Sequence, residues 1–290
     1  MKVDLVMWTQ NGEKTLPTVL DRISQVVPDG NVGKRVVVDD ASVDDTRQIC
    51  EEFGWTVVAN KGKGISDGAN TALKYVEAEY FVSFEQDLLL AKNWWRKIPC
   101  LLGGHVVVAC GMRFASKPKA LTELQKYVAK KYRGEKQLSS WLRSREMSSF
   151  TLGKTLDNTI YKTDALRSVG GFPKMQVNAG VDCVLAYKFL QSGYGWAVNY
   201  DVQSTHLRRG LRDELQHQRW YGTQLEAIWK QIQDIGVKPP VSHSSVFFRL
   251  LCCPLTAFFI ALKTRQPSTV YVHPLVKLYY TLGLLEAKHG

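Results

Sequence analysis

Apolar and polar positions alternate in blocks along the first ninety residues. Short apolar runs at 3–8, 35–38, 55–58 and 80–87 predict strands, and each of the first three precedes a segment with apolar residues at helical spacing, such as Leu16, Val19 and Ile23. Strands that alternate with short helices predict right-handed crossovers and a mostly parallel sheet flanked by helices, so we expect an α/β fold. Ligands of such sheets bind beyond the carboxyl ends of the strands.

The fourth apolar run ends in two carboxylates, Glu85 and Asp87, on either side of Gln86. Successive side chains of a strand point to opposite faces, so residues two apart lie on the same side. This spacing suits one hard divalent cation that also binds a phosphate. Acidic residues that only open the next loop are the alternative interpretation of this triplet.

Polar clusters also follow the first three predicted strands, at 9–13, 39–42 and 60–64. The ends of parallel strands meet at one edge of the sheet, so all four clusters are expected there.

The second half of the chain continues the α/β pattern less regularly. It predicts strands at 106–109, 158–161 and 196–200, helices at 163–169 and from Asp182 onward, a glycine turn at 170–172, and a basic, helix-favouring stretch at 117–145.

Net charge indicates an anionic partner, because the chain carries 38 Lys and Arg against 27 Asp and Glu, a formal charge of +11. Nucleotide phosphates, an anionic membrane surface and nucleic acid all fit that charge. The six cysteines show no Cys-x-x-Cys spacing and no small-domain framework, which argues against zinc and disulfide scaffolds. The chain starts directly in a strand without a signal-like segment, so we expect a cytoplasmic protein.

The last fifty residues change character after Pro239 and Pro240, which predicts a domain at 1–235 and an apolar, basic helical segment at 236–290. The apolar run at 250–262 is shorter than the roughly 20 residues that span a bilayer. Tyrosines and Lys277 within 270–285 suit the headgroup level of a membrane. We therefore expect peripheral contact with the cytoplasmic face of a membrane through 246–285. Two core helices docked on the domain are the alternative.

Six motifs in order resemble the inverting glycosyltransferases of family 2, which have the GT-A fold. They are the loops at 9–16 and 38–46, Gly62-Lys63-Gly64, Glu85-Gln86-Asp87, Gly170-Gly171-Phe172 ahead of Asp182, and Gly193-Tyr194. The resemblance covers roughly residues 1 to 225. It implies a GT-A fold of the Rossmann-like kind and a nucleotide diphosphate sugar as donor.

The resemblance also assigns the donor and metal sites. Thr9, Glu13 and Asp40 are expected to contact the base and ribose, while Lys61, Lys63 and Gly64 are expected to bind the nucleotide or its phosphates. Mn²⁺ or Mg²⁺ would be bound by Asp87, with Glu85 and His206 as further candidates. Glu85 departs from the aspartate that is usual at that position.

On the acceptor side, the resemblance implies Asp182 as general base for a single displacement with inversion. Val181 stands where the family usually has Glu. Gly171 is expected to let the backbone approach the acceptor. Gln216, Arg219 and Trp220 fit a motif of the polymerising synthases of the family. Acceptor and phosphate contacts are predicted for four residues in addition to Gly171: Arg208, Arg209, Arg219 and Trp220.

The leading hypothesis is a metal-dependent transferase whose acceptor is a lipid phosphate, a lipid-linked glycan or another hydroxyl. A nucleotidyltransferase would normally show a glycine-rich basic loop straight after the first strand, where this chain has 9–13. Nucleic-acid binding without catalysis leaves the acidic edge unexplained, so we expect no nucleic-acid partner. Non-catalytic binding of a nucleotide sugar remains a further alternative.

Overall fold

The structure is a computed structural model that describes residues 1–134, 153–207, 210–237 and 243–287. The chain divides into two compact units. One comprises Met1–Arg113 and Gly153–His206, and the other comprises Phe114–Leu152 and Leu207–Gly290.

Strands of the described residues form one eight-stranded sheet. In chain order they are β1 (Val3–Thr9), β2 (Val32–Asp39), β3 (Thr56–Ala59), β4 (Tyr80–Glu85), β5 (Leu88–Leu89), β6 (Val106–Ala115), β7 (Thr159–Lys162) and β8 (Gly195–His206). Across the sheet their order is β3-β2-β1-β4-β7-β6-β8-β5.

Helices follow the strands as the apolar periodicity predicts. In chain order they are α1 (Leu16–Val26), α2 (Thr46–Glu52), α3 (Gly64–Leu73), α4 (Trp94–Lys97), α5 (Lys119–Gly134), α6 (Thr163–Ser168), α7 (Val181–Gln191), α8 (Leu211–Asp234), α9 (His243–Leu251), α10 (Cys253–Thr264) and α11 (Thr269–Glu286). Short 3₁₀ turns lie at Asp29–Asn31 and Pro99–Leu101. The helices α5 and α8 to α11 belong to the second unit.

The first half of the sheet is parallel. Strand β1 pairs with β2 and β4, and β2 pairs with β3. The register places Thr9 opposite Asp39 and Trp8 opposite Glu85, so the three strands end at one edge. All seven residues of β1 are buried, as expected for a central strand covered on both faces.

The second half of the sheet is antiparallel where pairing is defined, so the sheet is mixed. Strand β7 runs antiparallel to β4 and β6, and β5 runs antiparallel to β8. Strand β8 extends six residues beyond the predicted 196–200 segment, to His206. Its polar residues Ser204 and His206 are buried there, so a search for apolar positions misses this part of the strand.

Aromatic rings make up much of the core beside this sheet. The rings of Phe81 and Tyr161 stack with centroids 5.0 Å apart, and Phe172 packs edge-on against Tyr161 at 5.7 Å. Phe172 also contacts Trp8 of β1 at 6.0 Å. The glycine turn before Phe172 is thereby anchored to the core near the carboxyl end of β1.

In the second unit, α8 and α11 pack with their backbones in direct contact. A Cβ atom added at Gly283 would lie 1.9 Å from the carbonyl oxygen of Arg219, and one at Gly222 would lie 2.2 Å from that of Tyr280. Such separations leave no room for any side chain at either glycine. Trp229 is buried in a cluster that includes Leu284, whereas Trp220 stays 39% exposed.

No described helix combines the length and the apolar content that crossing a bilayer requires.

Candidate active site

Gln86 joins the loop after β4 to the loop after β1. Its Oε1 accepts hydrogen bonds from the Thr9 hydroxyl and from the Gln10 backbone N–H, the latter at 2.9 Å, and its Nε2 donates to the Gln10 carbonyl at 3.0 Å. The middle residue of the acidic triplet therefore holds the two carboxylates in place. Thr9, a predicted donor contact, lies at this junction with its side chain engaged.

The loops after β1 and β2 are joined in the same way. The Asn11 backbone N–H donates to the Ser42 hydroxyl at 2.9 Å, and the Asn11 side chain accepts from the Val43 N–H at 2.9 Å. The Glu13 N–H donates to the Asp44 carboxylate at 3.2 Å. Glu13, also predicted to contact the donor, is half-buried where these two loops meet.

Asp40 connects the second loop to the glycine-rich loop. Its two carboxylate oxygens accept from the Gly64 N–H at 2.9 Å and from the Asn60 side chain at 3.1 Å. A Cβ added at Gly64, whose φ is +72°, would meet the Asn178 side chain at 2.0 Å. Asn178 lies four residues before Asp182, so Asp40 is linked through Gly64 to the segment that carries the predicted base.

Lys61 and Lys63 are both exposed in the glycine-rich loop. The Lys63 N–H donates to the Asp67 carboxylate at 3.0 Å, at the start of α3. A Cβ added at Gly62 would lie 2.0 Å from the same carboxylate, so the loop requires glycine there. Both ammonium groups are therefore carried on a tightly folded loop beside Asp40.

Glu85, Asp87 and His206 form a cluster in which one ligand atom from each lies within 4.8 Å of the others. The His206 Nε2 is 2.9 Å from Asp87 Oδ2. Pairing of β5 with β8 places Leu88 opposite His206, which brings the imidazole beside the preceding residue, Asp87. The apolar run at 80–87 predicts Asp87 within a strand, whereas β4 ends at Glu85 and Asp87 lies in the turn that follows.

The chemistry of this cluster fits a divalent cation. Carboxylate oxygens suit Mg²⁺ and Mn²⁺, and an imidazole nitrogen is softer than the oxygen ligands that Mg²⁺ prefers. The described side chains therefore agree with the predicted cofactor and favour Mn²⁺ of the two ions.

Arg113, near the end of β6, was not predicted as a site residue. Its Nη1 lies 3.2 Å from Glu85 Oε2 and 3.0 Å from Asp157 Oδ2. Asp157 is fully buried, and its Oδ1 has no hydrogen-bond partner among the described residues. Burial and the Asp157 charge raise the pKa of Glu85 to about 8, although Arg113 acts in the opposite direction.

The signal that could have revealed this arrangement is a single arginine within the apolar run at 106–115. A charged residue in a buried strand requires a partner of opposite charge. Asp157 lies just before β7, which pairs with both β4 and β6, so the topology supplies that partner.

Asp182 lies in the first turn of α7, after Gly180 with φ +78°. Its Oδ1 accepts a hydrogen bond from the Cys183 N–H at 2.8 Å. Burial raises the pKa of the Asp182 carboxyl against the effect of the nearby Arg113 charge. The charges of Asp87 and Asp182 add to the effects that raise the pKa of Glu85.

Gly171 is held by α3. The Asn70 side chain accepts from the Phe172 N–H at 3.0 Å and donates to the Phe172 carbonyl at 2.8 Å. At Gly171, where φ is +77°, an added Cβ would lie 2.7 Å from the Asn70 side chain. These contacts explain why glycine occupies position 171. Its predicted approach to the acceptor stays a prediction.

Two of the remaining predicted acceptor residues belong to the described part of the second unit. Arg219, in α8 of the second unit, forms a two-pronged ion pair with Glu286, with Nε 2.9 Å from Oε1. Trp220 lies beside His217 with ring centroids 5.4 Å apart. Arg208 and Arg209 lie outside the described residues.

Comparison with known families identifies the class of protein. A sequence model of the family described as Glycosyl transferase family 2 matches residues 4–157. This segment is more than half of the chain and contains the loops at 9–13 and 39–42 together with the acidic triplet. The chain therefore belongs to glycosyltransferase family 2. A comparison with curated protein sequences gave no match.

Solved structures share the fold. A mannosyltransferase, PcManGT, from Pyrobaculum calidifontis in complex with GDP-Man and Mn²⁺ is similar at 17% identity, with a TM-score of 0.61 over 99% of this chain and 87% of that chain. Glucosyl-3-phosphoglycerate synthase from Mycobacterium tuberculosis with Mn²⁺, UDP and glucosyl-3-phosphoglycerate gives 18% identity and a TM-score of 0.57, covering 82% and 81%. TarS 1-349 from S. aureus with UDP-GlcNAc gives 16% identity and 0.54, covering 100% and 92%.

Three predictions are thereby confirmed. The family is glycosyltransferase family 2, the fold is a mixed α/β sheet of the GT-A kind, and the protein is a glycosyltransferase.

Proposed function

We propose that this protein is an inverting glycosyltransferase that moves a sugar from a nucleotide diphosphate donor to an acceptor, with a divalent cation as cofactor. The observation that supports the proposal is the cluster of Glu85, Asp87 and His206 after β4, beside loops held together by Gln86 and Asp40. A purely structural acidic edge would be satisfied by the Arg113 ion pairs and would not require His206 beside Asp87.

The donor is proposed to lie along the loops after β1, β2 and β3. Asp40 would accept hydrogen bonds from the ribose or base, with Thr9 and Glu13 beside it. Lys61 and Lys63 are exposed on the glycine loop and would offset the charge of the diphosphate. The donors of the structural neighbours differ in base and sugar, so a test has to cover guanosine and uridine diphosphate sugars.

Asp87 and His206 are proposed as the residues that hold the cation, because their ligand atoms are 2.9 Å apart and Asp87 lies in the turn after β4. Glu85 shares its carboxylate with Arg113, so we assign it a weaker contact with the ion. The cation, when bound, offsets the charge of the departing nucleoside diphosphate.

Asp182 is proposed as the general base. It would accept the proton of the acceptor hydroxyl while that oxygen attacks the anomeric carbon from the face opposite the leaving group. The raised pKa of Asp182 favours this role, because a more basic carboxylate holds the transferred proton more strongly. The Cys183 backbone N–H donates to one carboxylate oxygen of Asp182 and so helps to orient the carboxylate.

The acceptor is proposed to be a lipid phosphate or a glycan carried on a lipid. Support comes from the basic charge and from the apolar segment at 246–285, which is proposed to contact a membrane peripherally on its cytoplasmic face. Contacts with the acceptor or its phosphates remain proposed for Arg208, Arg209, Arg219 and Trp220. An acceptor phosphate would compete with Glu286 for the Arg219 guanidinium. The division into 1–235 and 236–290 is likewise kept as a proposal.

Purified protein with Mn²⁺ should hydrolyse or transfer sugar from one member of a panel of GDP and UDP sugars. Asp182→Asn should lower transfer by at least about a hundredfold while nucleotide affinity stays within about twofold, because proton transfer contributes roughly 10²–10⁴ in rate. Asp164→Asn is the matched control, since Asp164 also lies in the first turn of a helix but is 86% exposed. Full transfer by the Asp182 variant would remove that residue from the role. If the wild-type protein binds a donor tightly but neither hydrolyses nor transfers sugar from any donor of the panel, a non-catalytic binding protein would be favoured.

A further inference from the structure

Helix α10 is apolar on two opposite faces. Its inner face, formed by Cys253, Ala257, Ile260 and Ala261, is buried, and Ile260 packs in a cluster with Leu124 of α5 and Val272 of α11. Its outer face carries four large apolar side chains that are 51–66% exposed: Leu255, Phe258, Phe259 and Leu262. A helix that is apolar all round is normally buried, so this outer face calls for a covering partner.

The end of α9 continues this surface. Phe248 is 66% exposed and Leu251 is 79% exposed, directly before α10 begins. Positions 255, 258, 259 and 262 follow the i, i+3, i+4, i+7 pattern of one helix face. The six side chains form what we term the α9–α10 surface, defined by Phe248, Leu251, Leu255, Phe258, Phe259 and Leu262.

Charge identifies the occupant of this surface. Arg249, Lys263 and Arg265 are exposed in the same segment of the chain. The sequence contains no Asp or Glu between Asp234 and Glu286, although the whole chain has 27 acidic residues. A second copy of this chain would bring like charges together without a carboxylate on this segment to pair with them. An anionic bilayer offers negatively charged headgroups to these basic side chains and an apolar layer to the exposed apolar face.

We propose that the α9–α10 surface inserts into the headgroup and acyl boundary of an anionic lipid bilayer, with Arg249, Lys263 and Arg265 on the lipid phosphates. Helix α11 supports the α9–α10 surface. Its backbone at Gly283 contacts α8, and it also packs against α10, so the outer face of α10 is held in position. The biological role of this lipid binding rests on the proposed function at a membrane, but lipid binding itself requires no catalysis.

The test is flotation of the full chain with vesicles of phosphatidylcholine alone and of phosphatidylcholine with phosphatidylglycerol. The wild-type chain should bind the anionic vesicles. The triple substitution Leu255→Ser, Phe258→Ser and Leu262→Ser should weaken binding by at least about a hundredfold, since each buried side chain contributes roughly tenfold. Lys263→Gln with Arg265→Gln should weaken binding to anionic vesicles by roughly tenfold or more and leave neutral vesicles unaffected.

Leu190→Ser is the matched control, because Leu190 is 54% exposed in the other unit and should not change vesicle binding. All variants should keep the thermal midpoint of the wild type, since the altered side chains are exposed. Unchanged vesicle binding by the triple variant would overturn the proposal. So would a wild-type chain that ignores vesicles and forms a dimer that the triple variant dissociates.

Donor hydrolysis measured without vesicles separates this inference from the proposed function. If the triple variant loses vesicle binding but retains donor hydrolysis, the α9–α10 surface binds lipid and takes no part in hydrolysis. Vesicle binding without hydrolysis on any donor leaves the surface standing and counts against the transferase.

Discussion

Replacing Arg113 by methionine removes the positive charge between Glu85 and Asp157 while keeping a side chain of similar length. Removing one partner of a buried ion pair typically costs about 3–5 kcal/mol, because the other charge is left buried and unpaired. The Asp157 side chain is 0% exposed, whereas those of Glu85 and Arg113 are 23% and 32% exposed. Solvent therefore screens the Glu85 side of the network, and most of the loss comes from Asp157. We expect about 3 kcal/mol at neutral pH.

Differential scanning calorimetry and urea unfolding measure this cost. A loss of about 3 kcal/mol corresponds to a fall in Tm of roughly 6–12 °C, at about 2–4 °C per kcal/mol for a domain of this size. The deficit should grow as pH rises above about 8, because the pKa of Glu85 is raised to about 8 even with Arg113 present, so Glu85 becomes a second unpaired charge in the variant only above that pH. Arg35→Met is the matched control, since its partner Asp29 is 91% exposed and such pairs contribute about 1 kcal/mol or less.

A double-mutant cycle tests the reasoning directly. In an Asp157→Asn background the carboxylate is already neutral, so Arg113→Met should cost about 1–2 kcal/mol less than it does in the wild type. The assignment of Arg113 as the charge that this network requires would be refuted if Arg113→Met lowered the free energy of unfolding equally in the two backgrounds. It would also be refuted if Arg113→Met cost no more than Arg35→Met.

Three further predictions concern the metal site, the helix contact and the donor loop. Without metal, the free energy of unfolding should fall as pH rises from about 4.5 through about 8, because the folded-state pKa of Glu85 lies above its usual value, and saturating Mn²⁺ should flatten that slope in a thermal-shift series. Gly283→Ala should destabilise by about 1–3 kcal/mol in urea unfolding, since its Cβ would meet the Arg219 carbonyl at 1.9 Å, whereas Gly30→Ala, with open space around it, should stay within about 0.5 kcal/mol. Asp40→Ala should raise the donor KM by roughly tenfold or more in a transfer assay, because the glycine loop loses the carboxylate that holds it; an unchanged KM would remove Asp40 from the donor site.

The parallel half of the fold could be predicted because its signals are local. Apolar runs of strand length and helical periodicity mark β1 to β4 and the helices between them. Thr9 and Glu85 end β1 and β4, and Asp40 directly follows β2, so all three lie at one edge. The right-handed crossover rule converts that local pattern into a sheet without knowledge of any long-range contact.

The antiparallel half was harder to predict, because its strands contain buried polar residues. The strand β8 was foreseen only for its apolar first half, whereas Ser204 and His206 in its second half are buried by pairing and packing. Ser204 accepts the backbone N–H of Ala91 through its hydroxyl oxygen at 3.1 Å, which explains why a polar residue is stable there.

The residue types of the site, including Asp87, Asp182 and a nearby histidine, follow from the order of the motifs along the chain. Their arrangement does not, because it depends on strand register. His206 reaches Asp87 through the pairing of β5 with β8, and Arg113 reaches Asp157 through neighbouring antiparallel strands. Local periodicity specifies which segments become strands, but the free energy of burying charged side chains depends on partners distant in sequence, which are defined only once the sheet has formed.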